Sequence, residues 1–163
     1  MKLESMNDLY LHSLKDMHNA EKQLTKALPK LAKGSDSDEL RTAFQEHLEE
    51  TKVHVERLER IIASLDKKTG GVVCHAMKGL VEEGGEILEA QGDPEVLDAG
   101  LIQAAQKVEH YEIASYGCLR EFAKLLGRKQ DVKLLEASLE EEKAADVKLT
   151  ELAMGMVNRA ALN

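Results

Sequence analysis

Residues 104–117 read AAQKVEHYEIASYG, and they carry a contradiction. The surrounding positions Leu101, Ala105, Val108, 112, Ser115, Leu119, Phe122 and Leu126 advance in the steps of three and four that mark the buried face of a helix. Position 112 on that stripe is glutamate, and Glu109 stands one turn earlier on the same side. This helix turns acid toward its own core.

Three other segments do the same. Only two prolines and eleven glycines punctuate 163 residues, so the breaks between helical patterns are easy to place. Ala, Leu, Glu, Lys and Arg dominate while aromatic residues make up 3%, a bias toward long helices rather than sheet. The patterns predict helices over 5–33, 38–65, 74–90, 94–126 and 131–157 within a single domain, 1–163. In KGSDSD, Gly34 is suited to a left-handed cap and the residues after it to N-caps, while Pro29 should kink the last turn before it. In GDPEV, Asp93 is the expected N-cap and Pro94 the first helical residue. Short links make antiparallel hairpins of the first two long helices and of the last two. The roughly thirty residues between the hairpins suffice to cross the length of a bundle. The expected fold is therefore all-α: a ferritin-like four-helix bundle with a long crossover carrying a short extra helix between helices two and three.

On the first helix the stripe is Leu14, Met17, position 21, Leu24, Leu28, Leu31, and position 21 is glutamate. On the second it is Leu40, Phe44, His47, Thr51, His54, Leu58, Ile61, Leu65, with Glu50 beside both histidines. On the fourth it is Leu135, Leu139, Glu142, Asp146, Leu149, Ala153, Met156. Every long helix is interrupted near its midpoint, so in an antiparallel arrangement the breaks meet at one depth. Burying several carboxylates together is prohibitive without a cation among them. No lysine or arginine lies on these stripes. Two divalent metal ions are the economical solution, since each balances two carboxylates and takes their oxygens as ligands. A histidine in the set moves the preference from calcium or magnesium to iron or manganese. The metal candidates are Glu21, His47, Glu50, Glu109, Glu112, Glu142 and Asp146. His54 reads as a peripheral or hydrogen-bonding residue, Tyr116 as aromatic packing and, one turn from Glu112, the better placed tyrosine to support a metal ligand, Cys118 as a small core residue, His18 as a surface or partner-contact residue and Asp16 as a solvated acid.

A net charge of −8 argues against a nucleic-acid surface, which needs clustered basic residues. The N-terminus has no signal-peptide pattern and no run is long enough to span a bilayer. Cys74 and Cys118 are far apart without a CxxC spacing and read as free thiols in a reducing cytoplasm.

The blocks HNAEKQLTKALPKLA, FQEHLEETKVHVERLE, LIQAAQKVEHYEIASYG and LEEEKAADVKLTELA resemble the YciE/YciF ferritin-like stress proteins, the DUF892 family, from about Leu3 to Ala153. The resemblance implies a stress-associated cytoplasmic protein, commonly a homodimer, with a dinuclear metal site. Carried across, Glu21 is the single glutamate of the first helix, Glu50 that of the second, Glu109 and Glu112 the acids of the third and Glu142 that of the fourth. The pattern is not intact: Glu50 is followed three residues on by Val53, and Glu142 by Ala145, where histidines belong. On the second helix either His47 or His54 can serve instead, with His47 the choice; on the fourth, Asp146 is the substitute. The resemblance leaves the activity poorly defined; the metal site itself suggests consumption of peroxide or oxygen, as an oxidase, peroxidase or catalase-like activity, with Glu109 and Glu50 as bridging candidates. The alternative is a non-enzymatic metal-binding or structural stress-protection protein.

Overall fold

The computed structural model describes residues 2–158 and 161–162; the side chain of Met156, placed on the fourth stripe, lies outside the described part. Five α-helices follow one another: α1 (Met6–Gly34), α2 (Asp38–Ala63), α3 (His75–Glu89), α4 (Pro94–Leu125) and α5 (Lys129–Leu152). A π-helical turn, Ala153–Val157, extends α5, and no strand occurs among the described residues. Local chemistry sets the starts. Ser5, Ser37 and Asp93 each accept a backbone N–H from the first turn of α1, α2 and α4, caps worth about 1 kcal/mol apiece. Pro29 lies inside α1, which continues to Gly34. Gly34 is not the left-handed cap its sequence context suggested: the described glycines with positive φ are Gly70, Gly71 and Gly127. Its missing side chain instead makes room for Leu88 of α3, whose Cδ2 would clash with a Cβ at position 34.

Cross-helix contacts fix the directions. His18 meets Glu59 and Glu21 meets His54, so α1 and α2 run antiparallel. Gln106 donates to Thr150 and Arg120 to Glu136, so α4 and α5 do too. α2 also packs on α5 and α1 on α4, which gives each long helix two long neighbours. At one end, the Arg128 guanidinium before α5 donates to Ser64 just past α2, at 2.6 Å. At the other, the buried Asp98 of α4 accepts the backbone N–H groups of Asp36 and Ser37 at 3.0 and 2.7 Å, tying the start of α4 to the α1–α2 turn. The connection between α2 and α4 therefore carries the chain from one end to the other, with α3 lying along α1 and α4.

Apolar layers flank the helix midpoints. Leu14, Met17, Leu119 and Leu135 fill one side, and Leu28, Leu40, Leu101 and Leu149 the other, all buried. Each such side chain contributes about 1.5–3 kcal/mol relative to exposure. That apolar burial is what offsets a polar layer between them.

Candidate metal centre

Six side chains converge in the middle layer. α1 supplies Glu21, α2 supplies His47 and His54 two turns apart on one face, α4 supplies Glu109 and Glu112, and α5 supplies Glu142. Glu21, His54, Glu112 and Glu142 are 0% exposed, Glu109 3% and His47 7%. His47 Nε2 lies 3.5 Å from a Glu109 oxygen and 3.6 Å from one of Glu142. His54 Nδ1 lies 2.9 Å from Glu142 Oε1 and 3.3 Å from Glu21 Oε1. The donors form two groups, each within 4.8 Å: His47, Glu109, Glu112 and Glu142 in one, Glu21, His54 and Glu142 in the other. Glu142 is common to both.

These atoms approach one another without satisfying one another. Among the described residues, eight buried side-chain polar atoms lack a hydrogen-bond partner, and all eight belong to the six side chains: both oxygens of Glu112 and of Glu142, one each of Glu21 and Glu109, His47 Nε2 and His54 Nδ1. An unsatisfied buried polar atom costs about 1–3 kcal/mol, so such a concentration is a feature of function rather than of packing. Donors around an octahedral ion with bonds of about 2.1 Å sit about 3 Å apart, the spacing seen at His54 and Glu142. The six side chains thus have the chemistry and the convergence to hold metal ions.

The outward nitrogen of each histidine is already engaged. His47 Nδ1 is 3.2 Å from Glu50, and His54 Nε2 is 2.8 Å from Glu141, which is itself held by Arg57 at 2.9 Å. A carboxylate on one imidazole nitrogen fixes the tautomer and turns the other nitrogen's lone pair inward, the usual support of a metal-ligating histidine. Tyr116, fully buried, donates its hydroxyl to Glu21 Oε1. In the absence of a cation, protons take its place. Burial holds Glu109 and Glu112 well above the ordinary carboxylate range, with neighbouring acids adding to the effect on Glu112. Burial would lower the His54 pKa, but Glu142 and Glu21 overcome it and raise it to about 11.

The structure brings together Glu21, His47, Glu109, Glu112 and Glu142 from the sequence candidates, and leaves Glu50 and Asp146 outside. Glu50 points away from the centre, its side chain 48% exposed, and is paired with His47 Nδ1. The acid shared between the two groups is Glu142. Asp146 lies one turn, about 6 Å, further along α5. There it accepts from Gln106 at 3.3 Å and faces His110. His54 takes the sixth place, and the signal for it was its position on the α2 stripe. Three further expectations change. Cys118 is exposed, His18 is buried against Glu59, and Asp16 accepts the Tyr111 hydroxyl at 2.9 Å, with Cys74 Sγ also 3.0 Å from that hydroxyl. No helix among the described residues is long and apolar enough to cross a membrane.

Comparison with known proteins agrees with this architecture. Protein YciF of Escherichia coli (strain K12) is 49% identical over the whole of this chain and 99% of its own length. The crystal structure of the E. coli stress protein YciF superimposes with a TM-score of 0.92, covering 96% of this chain and 99% of that one. YcfI of Rhodopseudomonas palustris, provisionally described as a structural protein, is 44% identical with a TM-score of 0.88 over 91% of this chain and 95% of that one. A Xanthomonas campestris protein at 20% identity shares the fold, with a TM-score of 0.75 and 94% of both chains covered. Residues 5–162 match the family model described as domain of unknown function DUF892, and with the full-length similarity to YciF this chain belongs to that family.

Proposed function

We propose that this chain is a ferritin-like four-helix bundle whose middle layer holds a pair of divalent metal ions, iron or manganese, in a cytoplasmic, homodimeric stress protein. One observation carries the reading: eight orphaned donor atoms on four carboxylates and two imidazoles, each imidazole backed by an outer carboxylate. Two dications neutralise four carboxylates and leave the imidazoles neutral, and this donor inventory is the one known in dinuclear carboxylate bundles. The arrangement differs in placing both histidines on α2 instead of one on each of two helices.

Glu21, His47, His54, Glu109, Glu112 and Glu142 would hold the ions, and iron or manganese there would supply one-electron redox chemistry toward a small oxidant such as peroxide or oxygen. The protein's own part is positional. Glu50 and Glu141 aim the two imidazoles, Glu142 would be available to both ions, Tyr116 fixes Glu21, and the apolar layers keep bulk water out. YciF is named a stress protein, and removal of an oxidant is the protective role we propose for this chain. Metal binding that rigidifies the bundle without turnover is the second reading, favoured by how little of the cluster meets solvent.

Elemental analysis after anaerobic loading with ferrous or manganous ion tests the site, with two ions per chain expected. No bound transition metal after loading refutes it. Peroxide consumption by the loaded protein before and after Glu109→Ala separates the two readings. Loss of the activity supports turnover at this centre, and activity that the substitution leaves unchanged removes it.

A further inference from the structure

The cluster is closed on most sides. Of its six side chains only His47 and Glu109 have any exposed surface, and both lie at the floor of one opening between α2 and α5. The opening has a volume of about 100 Å³, room for a few water molecules. Its walls are Ala43, Phe44, Ala144, Ala145 and Leu149, and its rim carries Glu46, Glu50 and Lys148. Ala145 is three residues after Glu142, where an intact Glu-x-x-His would put an imidazole. A methyl group there leaves space that the larger ring would occupy. Two candidate ligands line it, and His47 Nε2 and Glu109 Oε2 are buried and without partners. At the rim, Lys148 is paired with Glu46, which places the one cation of the lining against one of its two outer acids.

We infer that this α2–α5 opening is the port through which divalent cations reach the centre, with Ala145 setting its bore and the Lys148–Glu46 pair tempering the negative field at its mouth. The inference rests on the metal reading above. Glu46 and Glu50 stand outside, His47 and Glu109 inside, and Glu142 and Glu112 deepest, so carboxylates are available to the ion throughout its passage. Elsewhere the cluster is walled by buried groups, among them Tyr116 and Leu139.

The test is the rate of cobaltous ion uptake by metal-free protein, followed by its visible absorption, for the wild type, Ala145→Phe and Lys148→Ala. A phenyl ring in the bore should slow uptake about tenfold or more, because loading must then wait for the packed helices to part. The final cobalt content should be unchanged, since Ala145 offers no ligand. Lys148→Ala, at an exposed site, should speed uptake about twofold at low ionic strength, an effect that added salt erases. Uptake by Ala145→Phe at the wild-type rate overturns the port, as does a lowered plateau with no change in rate. If Ala145→Phe does not fold, an unchanged rate in Lys148→Ala overturns the electrostatic half and the salt-sensitive acceleration upholds it. A wild type that takes up no cobalt refutes the metal centre itself, an outcome distinct from all of these.

Discussion

Glu112 gives the sharpest separation between a metal site and an acidic core, because replacing it should move the metal-free and metal-loaded proteins in opposite directions. It is fully buried, neither oxygen has a hydrogen-bond partner, and every cause acting on its carboxyl, burial first and then Glu142, Glu21 and Glu109, raises its pKa. Among the described residues no group compensates it. Leucine has a similar volume and no polar atoms, and removing a buried polar group that lacks hydrogen-bond partners relieves about 1–3 kcal/mol. Taking about 2 kcal/mol, and about 2–4 °C per kcal/mol for a chain of this size, Glu112→Leu should raise the Tm of the metal-free protein by about 4–8 °C. Ligand binding to the native state alone at a hundredfold excess over Kd adds about 2.7 kcal/mol per site, so the wild type should gain about 5–10 °C for each ion bound. The variant lacks a ligand of the His47 group and should lose most of that group's share. Calorimetry of both proteins, stripped and then loaded with manganous ion, reads all four values. A variant that melts lower than the wild type without metal, yet keeps the full metal-induced rise, refutes the reasoning.

Three further outcomes follow from other parts of the molecule. In the metal-free protein Glu109 and Glu112 keep their protons above the ordinary 4.5, and His54 keeps its proton to about 11 against 6.5, so the folded state binds more protons than the unfolded one across that window. Stability is therefore greatest on the acid side and declines as pH rises, with the His54 contribution full below 6.5 and lost toward 11. Melting curves between about pH 6 and about pH 9 should show the metal-free Tm falling, while manganous ion, which displaces these protons, reverses the slope. Tyr116→Phe removes the hydroxyl that holds Glu21 and should weaken metal binding about tenfold in a competition titration while leaving the stoichiometry intact. Asp98→Ala strips the acceptor from the Asp36 and Ser37 N–H groups; it should cost about 1–3 kcal/mol in denaturant unfolding with no change in metal content.

The helices and their order were legible because their causes are local. Stripes with the period of 3.6, serine and aspartate caps, and glycine-rich breaks act within a few residues of themselves, and the chain states them directly. The depth of the acids was legible as well, since midpoint interruptions on four antiparallel stripes must coincide. At the site the stripe outperformed the motif. His54 lies two turns from His47, about 20° away around α2, whereas Glu50 is about 60° away on the opposite side from the buried Thr51. Periodicity placed His54 inward; the Glu-x-x-His pattern favoured Glu50, which the fold turns toward solvent as the outer partner of His47.

By itself, then, the sequence determined an all-helical chain whose four long helices each carry acid or imidazole at one common level, because hydrophobic periodicity dictates which face is buried. Tertiary structure alone decided which of those groups meet. A position one turn along α5 or a fraction of a turn around α2 is equivalent in a repeating pattern, and only the packing of each helix against two neighbours distinguishes them. That packing makes Glu142 the shared acid, sets Asp146 against Gln106, hangs His54 between Glu21 and Glu142, and leaves beside Ala145 an opening lined by His47 and Glu109.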